Sequence, residues 1–263
     1  MLNVFFAEWR KLRRPTLFIG TYGAALGFTA LISSFLYLMI GDESGNGDRG
    51  RIITPEQLSG ADGSIVGFES LGGLLGIIAL CVFAAQAAQE YTYGTLRNLL
   101  VRQPRRITLL LGKIAAMKTF VILLTLTSAG VSIAISYFLA DGAGVSSELW
   151  FTADGRTAIL QTLLNVYISV VYFALVGMVL GLLLRSPISS ISIALLWLIV
   201  IENLIGAVKP VTLNWMPGFQ LAAIAEGGNF TVTYSHALTV GSIYVAIGLI
   251  AAGTLFARRD VAN

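Results

Sequence analysis

Glu202 is the one acidic side chain set within an apolar stretch, with Leu198-Ile199-Val200-Ile201 before it and Leu204-Ile205 after it. A charge at the centre of a bilayer costs about 2.5–3.5 kcal/mol on insertion scales, so an intramembrane carboxylate is read first as functional. Glu202 lies toward one end of its stretch, which leaves two readings open: a role in an exit path, or a bond to nearby backbone. Other candidates for chemistry are few. The single cysteine, Cys81, permits no intrachain disulfide, and the single histidine, His236, permits no His-rich metal site. Gly112-Lys113 is followed by Ile114, and Ile107 stands where a phosphate-binding loop needs its first glycine, so the chain lacks a nucleotide site of that kind. Ion-coupled carriers and proton pumps need ionisable groups at mid-membrane, and intramembrane proteases or lipid-modifying enzymes need a paired acid, base or metal set. The apolar stretches hold neither. The expectation is a chain without catalytic residues, cofactor or metal of its own.

The elements that place these residues cannot be those of a soluble domain. Of 263 residues, 56% are hydrophobic and 12% charged, with a mean hydropathy of +0.80. A soluble domain carries about 25% charged residues. An ordinary cytosolic enzyme, a disordered protein and a disulfide-stapled secreted domain are therefore excluded. The charges fence off uncharged windows at 15–41, 70–89, 119–140, 157–184, 186–201 and 227–257. About 20 apolar residues in a helix cross a ~30 Å hydrocarbon core, and the short fifth window lengthens past Glu202 through Leu204-Ile205. Six spans are predicted, at about 16–40, 66–88, 107–140, 157–184, 187–206 and 233–257, in one all-α membrane domain over residues 1–263. The first window is too long for the ~7–15-residue apolar region of a signal peptide, so it reads as a retained span.

Six spans put both termini on one side. That side would hold 13 of the 17 basic residues and three acidic ones, Glu8, Glu90 and Asp260, leaving 11 acidic residues opposite. Basic residues at span ends mark the cytoplasmic face, so both termini are expected in the cytoplasm. The same sorting explains a pI near 9.1 without nucleic acid.

Within residues 1–14, Leu2, Phe5, Phe6, Trp9 and Leu12 recur at helical spacing, with Arg10, Lys11 and Arg14 off that stripe. This predicts an amphipathic elbow helix lying in the interface beside anionic lipid. On the outer side, Thr54-Pro55-Glu56 can start a short helix, and Trp150 and Phe151 suit the outer interface. Between the second and third spans, Gly94 permits a sharp break, Thr95 can cap a new helix, and Leu96, Leu99 and Leu100 form one stripe that Pro104 ends. The stretch from Thr95 to Pro104 thus predicts a two-turn amphipathic helix able to fill a groove on a partner.

The run Glu90-Tyr91-Thr92-Tyr93-Gly94-Thr95-Leu96-Arg97, continued by Gln103-Pro104-Arg105-Arg106 and Leu110-Leu111-Gly112-Lys113, resembles the signature of ABC-2-type exporter permeases. These are the membrane subunits of ATP-binding-cassette transporters, including the bacitracin and lantibiotic exporters. The Glu8-Trp9-Arg10-Lys11 elbow, six spans, and Glu202 followed by Trp215-Met216-Pro217 fit the same pattern. The resemblance implies a hairpin over 203–225 dipping back into the outer leaflet, and a bacterial cytoplasmic-membrane location. It also implies a coupling helix at 90–103, seated in a separate ATPase that holds ATP and magnesium. The docking residues it implies are Glu90, Gly94, Thr95, Leu96, Arg97 and Leu100, with Glu8, Trp9 and Lys11 as flanking support.

Two functions are expected from this, of different kinds. One is a permease subunit, paired with a second copy or a similar chain and with two ATPase copies, exporting a hydrophobic or amphipathic drug, peptide antibiotic or lipid. The other is a membrane scaffold, immunity or sensor protein that uses the same cytoplasmic helix as an adaptor.

Overall fold

The computed structural model describes residues 2–40, 54–95, 99, 101 and 105–258. Helix α1, Leu2–Leu12, meets α2, Pro15–Leu38, at a two-residue elbow. Pro15 suits a helix start, where its missing N–H would have had no partner anyway. The single turn α3, Pro55–Leu58, is capped by the Thr54 hydroxyl, which accepts from the Gln57 amide. A 3-10 turn at Gly63–Ile65 leads into α4, Val66–Thr92, followed by α5, Arg106–Ala140, and α6, Ala153–Leu184. The next stretch changes winding twice: α7, Pro187–Leu195, gives way to a π-helical turn, Leu196–Ile201, and then to α8, Glu202–Val208. A 3-10 segment, Pro210–Trp215, and α9, Pro217–Ala225, form a hairpin before α10, Tyr234–Arg258.

Among the described residues, six stretches are long and apolar enough to cross a membrane: Pro15–Leu38, Gly63–Thr92, Arg106–Ala143, Ala153–Leu184, Pro187–Val208 and Tyr234–Phe256. Among the described residues no strand pairs into a sheet, and the one isolated bridge joins Gly228 and Thr233. At 35 residues α5 is the longest helix. Its ~52 Å exceeds a ~30 Å hydrocarbon core, so its ends project past the apolar layer.

The core is the contact of α4 with α6. A Cβ on Gly177 or Gly181 would overlap the backbone carbonyls of Leu80 and Ala84, so these glycines let the two helices approach closely. Helices α2 and α5 run side by side in register, with the Tyr22 hydroxyl donating to Phe120 O at 3.2 Å and the Ser33 hydroxyl to Ser132 Oγ at 2.9 Å. Trp150 is fully buried, contrary to its expected interfacial place. Its indole N–H donates to Leu58 O at 2.8 Å and ties the loop before α6 to the α3 turn, whereas Phe151 stays exposed. A hydrogen-bond partner inside the protein won over the interface.

Candidate functional site

Four charged side chains from three helices meet at the end of the bundle that carries the elbow. Lys11 Nζ lies 2.7 Å from Glu8 Oε1 and 2.7 Å from Glu90 Oε1. Lys113 Nζ lies 3.2 Å from Glu8 Oε2 and also contacts Glu90 Oε1. The result is a closed ring of alternating charge, with Glu8 and Lys11 on α1, Glu90 two residues before the end of α4, and Lys113 two turns into α5. Glu8, Glu90 and Lys113 are all buried. A buried charge is tolerable only when paired and hydrogen-bonded, and here each carboxylate meets both ammonium groups.

Local sequence brings the ring together. Glu8 and Lys11 are three apart on α1, so they share a helix face. Part of the apolar stripe packs beside that face, through Phe5, Trp9 and Leu12. Leu2 and Phe6 are exposed, whereas Val4, Glu8 and Leu12 turn toward the protein, with Val4 against Gly112 on α5. Trp9 is half-buried and stacks on Phe5, ring centroids 6.3 Å apart. Burial lowers the Lys11 ammonium pKa, but Glu90 and Glu8 beside it outweigh that and hold it above its usual 10.5.

A folded-state pKa above the unfolded value supports the fold fully below the unfolded value and is lost as pH rises through the folded one. We expect the melting temperature in detergent to hold up to about pH 10 and then fall as Lys11 loses its proton. Lys11→Arg should flatten that fall, because guanidinium stays charged. Equal alkaline slopes for both proteins would contradict the assignment.

The expected docking residues fall in different places. Glu90, Glu8 and Lys11 are drawn into the ring. Gly94 takes a left-handed φ of 63° just past the end of α4, a conformation glycine adopts without cost. The Thr95 hydroxyl donates back to Glu90 O at 3.5 Å, binding a carbonyl at the end of α4. Leu96, Arg97 and Leu100 lie outside the described residues. Lys113 was not singled out by sequence. The usable signal was that the terminal side holds so few acids: Glu8 and Glu90, set among many basic residues, each take two ammonium partners. Two further contacts gather helix ends at the same place: Arg106 donates to Phe256 O at 2.6 Å, and the Arg185 guanidinium lies 5.1 Å from the centre of the Tyr91 ring.

Glu202 forms a second polar centre at the opposite end. Its Oε1 accepts from the Trp197 indole and from the Gly218 amide, each at 2.8 Å, and Oε2 accepts from the Phe219 amide at 2.9 Å. Trp197 and Glu202 are five apart, about 140° around an α-helix, and the π turn between them returns the pair to one face. The Asn203 amide donates to Ile199 O at 2.9 Å, within the π turn. Gly218 lets its amide approach the carboxylate, since a Cβ there would sit 2.7 Å from Glu202 Oε2. His236 Nε2 to Asn214 O at 3.0 Å and Tyr244 hydroxyl to Trp215 O at 2.6 Å fasten the hairpin to α10.

Six apolar helices of spanning length, with ionic groups gathered at their ends, define a multi-pass helical membrane protein. Residues 28–262 match the model of DUF2705, a family of proteins of unknown function, and the chain belongs to that family. No curated protein matches it.

Proposed function

We propose that the chain is the membrane-spanning permease subunit of an ATP-driven exporter of the ABC-2 type. The observation that carries the reading is the ion-pair ring. It joins α1, the end of α4 and the start of α5 at the root of residues 90–103, the segment whose sequence matches a coupling helix. A push on that segment reaches three helices at once, because displacing any one of them separates buried opposite charges. The described residues of the segment past Gly94, namely Thr95, Leu99 and Val101, are helical.

In this reading the ring end faces the cytoplasm, α1 lies in the interface, and the 203–225 hairpin dips into the outer leaflet. Glu90, Glu8 and Lys11 act beneath the docking surface rather than on it, while Gly94, Thr95, Leu96, Arg97 and Leu100 meet the ATPase. The permease pairs with a second copy or a similar chain, and each permease seats one ATPase. ATP and magnesium stay on that partner. Binding of ATP favours one arrangement of the spans over the other, by as much as it binds that arrangement more tightly. Charge-free walls suit a hydrophobic or amphipathic cargo.

The test is reconstitution in vesicles of the purified chain with an ATP-binding-cassette ATPase that co-purifies with it; failure of any such ATPase to co-purify contradicts the reading. The expected results are cargo-stimulated ATP hydrolysis and cargo movement, both lost in the Arg97→Glu, Leu100→Asp double variant. An ATPase rate that ignores every cargo, with nothing moved, favours the scaffold or sensor role. Unchanged stimulation in the double variant overturns the docking assignment.

A further inference from the structure

A groove of about 290 Å³ opens between α1, the elbow and the last turns of α4. Its polar lining consists of Lys11, Arg14, Gln86, Gln89, Tyr93 and Thr95, together with Glu90. We propose that this groove binds a phosphate-bearing anion, a site that does not depend on the transport reading. Three observations carry it. The carboxylate in the wall is already engaged, since Glu90 Oε1 is shared by Lys11 and Lys113, so it presents little unbalanced negative charge. The Lys11 ammonium has three N–H donors; two go to Glu8 and Glu90, and one is left. The exposed Arg14 guanidinium makes no hydrogen bond or ion pair among the described residues, and the half-buried Gln86 and Gln89 side chains likewise have no partner there.

The groove is therefore rimmed by donors that find no acceptor among the described residues. Buried and half-buried amides normally find a partner. Donors reach the groove from α1 and the elbow on one side and from α4 on the other. A tetrahedral phosphate, with oxygens pointing in several directions, can accept from both sides at once. The elbow also joins a spanning helix to α1, the level at which basic pockets between helices take anionic lipid headgroups. The phosphate could equally come from a soluble anion.

The experiment separates the two sources. Native mass spectrometry of the full chain in detergent compares retention of phosphatidylglycerol with phosphatidylcholine, and a thermal-shift titration uses inorganic phosphate. The wild type should retain phosphatidylglycerol selectively, and retention should fall about tenfold in Arg14→Gln and further in Gln89→Glu, which places a carboxylate in the groove. Lys209→Gln, which removes one exposed positive charge at the opposite end, should leave retention unchanged. Stabilisation by inorganic phosphate that both groove variants abolish, without lipid selectivity, supports the site and assigns it to a soluble anion. Arg14 is exposed, so its variant tests binding even if Gln89→Glu fails to fold. Lipid retention and phosphate response that match in wild type and Arg14→Gln overturn the proposal.

Discussion

Lys113→Met is expected to lower the unfolding free energy by about 3–5 kcal/mol, the usual cost of stripping one partner from a buried ion pair. The substitution leaves Glu8 and Glu90 facing each other with only Lys11 between them. Loss of packing explains little of this, because methionine fills most of the space of the lysine stem. The controlling comparison is the double variant Glu90→Gln, Lys113→Met. It removes one charge of each sign and leaves the Glu8–Lys11 pair on α1 intact. Exchanging a whole buried pair for neutral groups is often nearly neutral, so the double variant should regain most of the loss. The measurement is a double-mutant cycle from thermal unfolding in detergent, with a coupling energy of about 2–3 kcal/mol expected for groups in one network. Strictly additive losses would mean that the four groups do not act as a ring.

The second large effect is at Glu202. Glu202→Ala strands three donors, the Trp197 indole and the Gly218 and Phe219 amides. The two amides belong to the first turn of α9, where no intrahelical acceptor exists. Each unsatisfied buried donor costs about 1–3 kcal/mol, and an apolar surrounding offers little water in return. We expect a loss of at least about 3 kcal/mol, against about 1 kcal/mol for Trp197→Phe, which removes a single bond. Hydrogen exchange makes the test specific. The Gly218 and Phe219 amides should be protected in the wild type and exchange freely in Glu202→Ala, with α4 and α6 unaffected. Fast exchange of both amides in the wild type would contradict the capping geometry. The same carboxylate borders a cavity of about 190 Å³ between α4, α6 and the hairpin, so loosening the hairpin would change the shape of that space.

Much of the fold was legible because a bilayer constrains each segment separately. Leu75, Leu124 and Val170 can each be assigned to a span from their neighbours alone, since a spanning helix satisfies its own backbone hydrogen bonds and needs only an apolar surface. Gly94 was legible for a similarly local reason, as a turn residue between a long apolar run and a basic one. The face of α1 was not. Its apolar spacing grouped Leu2 and Phe6 with Phe5, Trp9 and Leu12, yet the first two are exposed while the other three pack on the bundle and Glu8 turns inward. Periodicity records which residues avoid water; it does not distinguish packing on protein from contact with lipid.

The two polar centres divide along the same line. Residue order alone shows that Glu202 is an acid in an apolar stretch, and that Glu8 and Glu90 are acids on a basic side. Their partners emerge only when the helices pack. Lys11 and Glu90 are 79 residues apart and meet because three helix ends converge, while Glu202 meets the Gly218 amide 16 residues on because a π turn rotates it toward the hairpin. Composition places charge at a depth along one helix. Pairing depends on the rotation of that helix about its axis and on its neighbours, which are fixed only when the helices pack.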